Sequence, residues 1–284
     1  MLNKTSKTLA EVFKDVGSHQ KINGIIKNHL TNQSDIREIA LGGIDFLNAI
    51  KILDLGCGFG FFTQALRGKT NPQAKITGID CHTQYRESYL DSCKYAGIEG
   101  RFIGECINSI RRIKSNSIDL ILCSFALYFF PEIISQISRI LKDDGVFVTI
   151  THGGPHMHQI GSHVKKAISA NDLDYSDDLP FEILMNIFSG ENGEGLLAPW
   201  FGNVRAKDYK NSLIFREAGF TDLEAYLRFK QSFFIPAGQP ETEKLIAMVL
   251  DLFKQDIIKN GIVEISKDDK IFTCTNPLMK GNAR

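Results

Sequence analysis

The sequence has no surplus of charge of either sign, no paired cysteines and no long apolar run. Its 33 Lys+Arg are matched by 33 Asp+Glu. Binding a phosphate backbone needs a basic excess to displace counterions, so the balance argues against a nucleic-acid partner. The six cysteines (57, 81, 93, 106, 123 and 274) form no CxxC pair. That argues against a zinc ribbon or a disulfide framework and for reduced thiols in a cytoplasmic protein. The longest mostly apolar stretch, Ile118–Phe130, is interrupted by Asp119 and Ser124 and is too short to cross a bilayer, so no membrane partner is expected. MLNKTSKTLAEVF lacks the apolar run of a secretory signal. Internal repeats and low-complexity segments are also absent. What is present is ordinary for a globular chain: 284 residues, 43% hydrophobic and 23% charged, enough for one large domain or one domain with a substantial insertion.

Along the chain the apolar period changes twice. Lys4–Ala49 reads as helical, with Leu9, Val12, Phe13 and Val16 on one face and a second helix from the Ser34-Asp35 cap to about Leu47. From residue 50, short apolar strands (Ile52–Leu55, Ile76–Ile79, Arg101–Ile103, Ile118–Leu122, Val146–Ile150) alternate with helical stretches. Such alternation implies crossover units and a parallel sheet covered on both faces. It breaks at Thr151, where GGP, DLDYSDD, GENGEG and APW surround two short helices, Val164–Ala170 and Phe181–Phe188. The spacing then predicts a helix over Asp208–Ala218, a long strand over Leu223–Phe234, a helix over Glu241–Ile258 and a last strand over Ile271–Cys274. Four segments follow: a helical lid (1–49), a core (50–151), a cap after the fifth strand (152–205), and the remainder of the core sheet with a helical insertion (206–284). Open α/β sheets bind ligands at the carboxyl ends of their strands, which is where the lid and cap belong.

The most informative segment is DLGCGFG, residues 54–60. A strand runs into Gly56-x-Gly58-x-Gly60 and then a helix; glycines there let the backbone turn sharply and approach a ligand closely. A dinucleotide site prefers G-x-G-x-x-G, and Asp54 would repel a pyrophosphate. A ligand with a cationic end reverses that sign. Twenty residues beyond Gly60, the second strand ends in Asp80, followed by Cys81, placed to accept from ribose hydroxyls. The next strand ends at Gly104-Glu105-Cys106, where a carboxylate can accept from an adenine amino group; the fourth ends in Cys123-Ser124-Phe125-Ala126-Leu127-Tyr128.

In these segments, DLGCGFG (54–60), GID (78–80), GEC (104–106), SIDLILCSFALYFF (117–130) and RILKDDGVFV (139–148), the chain resembles the class I S-adenosylmethionine-dependent methyltransferases. The resemblance implies a Rossmann-like, doubly wound α/β fold: a mostly parallel seven-stranded sheet whose last strand is antiparallel and inserted beside the fifth. It also implies S-adenosylmethionine as cofactor and S-adenosylhomocysteine as product. The cofactor set carried over is Asp54, Gly56, Cys57, Gly58 and Gly60 at the methionine end, Asp80 and Cys81 at the ribose, Glu105 and Cys106 at the adenine, and Ser124 and Phe125 beside the sulfur. The cap after the fifth strand, with the long span Pro236–Asp269, is similar to histamine N-methyltransferase and related small-molecule enzymes.

The acceptor is narrowed by what is missing. Cys123-Ser124-Phe125-Ala126 stands where amino-methylating nucleic-acid enzymes carry Asn/Asp-Pro-Pro-Tyr/Phe, and the fourth strand tip lacks the carboxylates of a Mg²⁺ site. Four of the seven histidines fall at 152, 156, 158 and 163. His152 follows the fifth strand and is the candidate base, with Tyr128 as the second catalytic candidate; surface histidines in a polar loop are the plain alternative. His156-x-His158 shows no evident third ligand, so no metal is expected. Residues 151–205 hold seven acids against three bases, suiting a cationic acceptor, and Tyr128, Tyr175, Trp200 and Phe201 suit an aromatic one. The expected function is therefore methyl transfer to N or O of a small-molecule acceptor, cationic or aromatic. The alternatives are a non-catalytic S-adenosylmethionine sensor or scaffold, an aminopropyl transferase without its extra acids, or a nicotinamide binder.

Overall fold

The computed structural model describes residues 11–171, 178–235 and 241–278. Its strands are β1 (Lys51–Leu55), β2 (Lys75–Ile79), β3 (Glu99–Ile103), β4 (Ile118–Ser124), β5 (Leu141–His152), β6 (Phe201–Tyr209), β7 (Ser212–Phe215), β8 (Val263–Ser266) and β9 (Asp269–Pro277). Its α-helices are α1 (Val16–His29), α2 (Ile36–Leu41), α3 (Phe61–Gln64), α4 (Arg86–Ala96), α5 (Ile134–Ile140), α6 (His158–Ser169), α7 (Pro180–Ile187), α8 (Gly193–Leu197), α9 (Phe220–Phe234) and α10 (Thr242–Asn260). Packing divides the chain into two compact units. Among the described residues a sheet unit comprises 34–151, 188–209 and 270–278; a helical unit comprises 11–33, 152–171, 178–187, 210–235 and 241–269.

The sheet unit holds seven strands in the order β3-β2-β1-β4-β5-β9-β6. Parallel ladders join β3 to β2, β2 to β1, β1 to β4 and β4 to β5, and one strand of the seven runs antiparallel. The last strand, β9, lies between β5 and β6 as expected. Ile52, Leu53, Leu55, Ile121 and Leu122 are all buried, the near-continuous apolar run of strands covered on both faces. α4 stops at Gly97, whose φ of 74° is the left-handed conformation that ends a helix.

In the helical unit, α6 packs on α10 and β8, while α9 packs on α1, α7 and α10; β7 pairs with β8 in an antiparallel ribbon. Asp15 caps α1 by accepting from the Ser18 amide at 3.1 Å. Among the described residues no helix is long and apolar enough to cross a membrane.

Several expectations fail after residue 200. Residues 223–234 are not a strand but part of α9: Leu223, Tyr226, Leu227, Phe233 and Phe234 are its buried positions, a spacing of three and four that fits one helical face. Residues 208–218 are not a helix; they contain the end of β6 and all of β7, in which Leu213 and Phe215 alternate inward. The sixth sheet strand is β6, an edge strand whose interior, GNVRAKD, is mostly exposed and polar. Polar edges resist pairing with other chains and give little hydrophobic signal. β8 was not anticipated, and the second N-terminal helix ends at Leu41 before Gly42-Gly43 rather than at Leu47. Residues 34–49 and 188–205 pack with the sheet, and 210–235 and 241–269 with the helices.

Candidate active site

The loop between β1 and α3 is built on three left-handed glycines. Gly56, Gly58 and Gly60 have φ of 63°, 48° and 87°. A Cβ on Gly56 would lie 2.5 Å from that of Ala126, and one on Gly60 would lie 2.6 Å from that of Ser92. Those two glycines are demanded by packing. Gly58 differs: a Cβ there would meet nothing within 4 Å, so its backbone borders open space where a ligand can approach. Beneath the loop, Asp54 is 1% exposed and accepts from Thr63 Oγ1 at 2.7 Å, which ties β1 to α3. Burial pushes its pKa up to about 7, with the Thr63 hydrogen bond opposing and the charge of Asp80 adding to the rise. Between about pH 4 and 7 the folded chain therefore holds a proton that the unfolded chain has lost, and stability falls as pH rises through that window. Asp54→Asn removes this linkage. Its melting temperature relative to wild type should be higher at pH 8 than at pH 5; a pH-independent difference would contradict the buried, protonated carboxyl.

Asp80, after β2, holds the loop from the other side. Its Oδ2 accepts the Gly58 N–H at 2.9 Å and its Oδ1 accepts the His82 N–H at 2.9 Å. The His82 ring lies 3.3 Å from Oδ1. The hydrogen bond to Asp80, followed by that to Cys81 at 3.6 Å, raises the His82 pKa to about 10, so the imidazolium persists at neutral pH. Cys81 and Cys106 are exposed; Cys57 and Cys123 are buried, and burial pushes both thiols up, the behaviour of small core residues. Glu105 is exposed and paired with Arg112. Ser124 ends β4, and Phe125 follows with φ 52°, a conformation uncommon for a bulky residue and frequent at functional sites. Tyr128 is 2% exposed and packs edge-on against Phe129.

In the helical unit, His152, the last residue of β5, is buried and shares a carboxylate with His156. Asp269 Oδ1 is 2.8 Å from His152 Nδ1 and 3.4 Å from His156 Nδ1, and the two imidazoles stack at 3.7 Å. Lys267 Nζ sits 2.9 Å from the other oxygen, Oδ2. Burial, reinforced by the neighbouring His156, holds His152 well below 6.5; His156 is lowered by burial too. Asp269 is held well below the usual carboxylate range despite its burial, by Lys267 and the histidines. His158 and His163 stand apart, lining a cavity of about 280 Å³ with Asp256, which is 2.8 Å from His163 Nε2. His156 and His158 thus face different surroundings. Tyr175 and three of the seven cap acids (Asp172, Asp174 and Asp177) lie outside the described residues.

A family model described as a methyltransferase domain matches residues 47–192, which span β1 to β5 and every glycine and acid of the loop system. The chain belongs to the class I S-adenosylmethionine-dependent methyltransferases. Within this methyltransferase family it is 24% identical over 170 residues to malonyl-[acyl-carrier protein] O-methyltransferase of Acetivibrio thermocellus, covering 59% of this chain and 55% of that one. It is 25% identical to demethylmenaquinone methyltransferase of Lactococcus lactis, over 79% and 86% of the two chains. The chain spans a little over half the length of the first curated relatives it matches. The YcgJ protein from Bacillus subtilis has a similar fold, with TM-score 0.52 and 15% identity over 84% of this chain and 97% of that one. So does the [4+2]-cyclase SpnF, with TM-score 0.52 and 12% identity over 95% and 96%. Since a cyclase shares the methyltransferase fold, these likenesses show the fold alone.

Sequence reasoning missed His82 and Asp269. His82 had a signal: it follows Asp80-Cys81 directly. Asp269 had none, since it meets His152 across 117 residues.

Proposed function

We propose that this chain transfers a methyl group from S-adenosylmethionine to N or O of a small-molecule acceptor. The observation that carries the reading is the Gly58 backbone, open to a ligand and hydrogen-bonded to the carboxylate that ends β2. Gly56, Cys57, Gly58 and Gly60 would shape the methionine end, with Asp54 supporting the loop from below. Asp80 would hold the ribose hydroxyls, with Cys81 and His82 at its flank. Glu105 and Cys106 would meet the adenine, Glu105 by exchanging its exposed Arg112 partner for the amino group. Ser124 and Phe125 would border the sulfonium. Relatives named for malonyl-[acyl-carrier protein] and for demethylmenaquinone indicate how widely acceptors range in the family.

Methyl transfer is an in-line displacement at carbon, so alignment and desolvation supply most of the rate. The acceptor's proton still has to leave. Asp269 fixes the His152 ring through Nδ1, and the neutral imidazole then offers Nε2 as the proton acceptor. Tyr128 is proposed as a wall of the acceptor site.

Calorimetric titration with S-adenosylmethionine, S-adenosylhomocysteine and NADH tests the cofactor. Binding of both sulfur ligands and not of NADH is expected; NADH alone, or nothing, would overturn the reading. Sulfur-ligand binding without turnover across a broad acceptor panel would favour the sensor or scaffold alternative.

A further inference from the structure

We propose that His152, His156 and Asp269 bind one divalent first-row transition-metal ion, of the zinc or ferrous class, through the two Nδ1 atoms and Oδ1. Three observations converge on it. First, the donor set is two imidazoles and one carboxylate, which suits zinc, iron or cobalt rather than magnesium or calcium. Second, the donors converge. Donors about 2.0–2.2 Å from a shared ion lie roughly 3–3.5 Å from one another; Oδ1 stands 3.4 Å from His156 Nδ1, inside that range, and 2.8 Å from His152 Nδ1, a hydrogen bond that must lengthen by a few tenths of an ångström to admit the ion. Third, His156 is 2% exposed, and among the described residues its Nδ1 makes no hydrogen bond of good geometry, approaching only Asp269 Oδ1 at 3.4 Å. A buried polar nitrogen without a well-formed hydrogen bond is costly, and an ion in front of it removes the cost.

The surroundings support the same assignment. Ligating carboxylates are usually hydrogen-bonded through the oxygen that does not bind the metal. Lys267 does this at Oδ2, 2.9 Å away, and leaves Oδ1 to the ion. The Phe181 ring lies 6.1 Å from His152 and 5.8 Å from His156, giving the site an apolar flank. Three protein ligands leave at least one position open, the pattern of catalytic rather than structural sites. With one carboxylate, two neutral imidazoles and the Lys267 ammonium nearby, that position favours an anion: hydroxide, or the ionised oxygen of an acceptor. In the metal-loaded protein the proton-accepting role assigned to His152 passes to the ion-bound hydroxide. Every ligand lies in the helical unit, so the inference stands independently of the cofactor reading.

The other trio of close metal-binding groups among the described residues, Asp80, Cys81 and His82, comes from consecutive residues and serves as the internal control. The test is titration of the chelator-treated full chain with Co²⁺ and Zn²⁺, with Mg²⁺ as control, on wild type, His156→Ala and His158→Ala. Expected are one Co²⁺ per chain with visible absorption and no cobalt–thiolate band, an affinity loss of about a hundredfold or more in His156→Ala, and no change in His158→Ala. Binding of S-adenosylhomocysteine, measured on the same samples, reports separately on the cofactor site and should be unaffected by His156→Ala. Absence of Co²⁺ and Zn²⁺ binding in wild type would overturn the proposal. So would binding that survives His156→Ala, or a thiolate band that points to Cys81. Should His156→Ala fail to fold, electron paramagnetic resonance of wild type loaded with one equivalent of Cu²⁺ decides instead. Splitting from two imidazole nitrogens supports the site, and its absence removes it.

Discussion

Asp80→Ala is expected to weaken S-adenosylmethionine and S-adenosylhomocysteine alike by about a hundredfold or more. Each hydrogen bond from a ribose hydroxyl to a carboxylate contributes on the order of 1.5–3 kcal/mol, and two such bonds correspond to roughly a hundredfold to twenty-thousandfold in affinity. The same carboxylate also holds the Gly58 N–H at 2.9 Å, so its removal loosens the loop that the ligand must meet. His82, protonated up to about pH 10 in wild type because of Asp80, then loses its counter-charge and reverts toward an ordinary histidine. The sign follows: the His82–Asp80 pair contributes stability fully below pH 6.5, and that contribution is lost as pH rises through about 10. Calorimetry on wild type, Asp80→Ala and Asp80→Asn is the check. Asparagine can keep one acceptor for Gly58 and should fall between the other two. Equal affinities in all three would remove Asp80 from the cofactor site.

Asp269→Ala should destabilise the helical unit by about 3–5 kcal/mol, because it breaks a buried charge pair from one side. Lys267 is left 14% exposed without its carboxylate, and two buried imidazoles lose the group they face. The cost is specific to pH. Asp269 has its folded pKa depressed, so its contribution is present above about pH 4 and lost in stronger acid. The two histidines act in the same direction: with folded pKa values below 6.5, they make the wild type progressively less stable as pH falls below that value. Denaturant unfolding at pH 7.5, followed by helix signal, should show a much lower midpoint for the variant. Asp269→Asn, which keeps shape and some hydrogen bonding, should lose less. A change under about 1 kcal/mol would mean that the network is not held as the structure shows.

The geometry of the glycine loop was legible because it is local. Gly56, Gly58, Gly60 and Asp80 each sit at the end of a strand or in the turn after it, and parallel crossover topology places successive strand tips in one row. A glycine forced into positive φ, or a carboxylate after a strand, carries its meaning within a few residues of sequence. The same locality explains the errors beyond residue 200. α9 contains Phe229, Phe233 and Phe234 among polar residues, and a short window of aromatics there passes for a strand. β6 is a polar edge whose nine residues expose almost everything between Phe201 and Tyr209. Period arguments need a buried face, and that strand offers almost none.

By itself, then, the sequence determined the class of fold, the succession of the first five strands along the chain and the glycine turn after the first of them, because short-range backbone chemistry dictates each of these. Tertiary structure alone decided that residues 11–33, 152–171, 178–187, 210–235 and 241–269 form one unit and that Asp269 meets His152 and His156. The physical reason is distance along the chain. A carboxylate at 269 and imidazoles at 152 and 156 share no helical or strand period. They come together because β9 returns to lie beside β5, which brings the first residue of one strand to the last residue of the other.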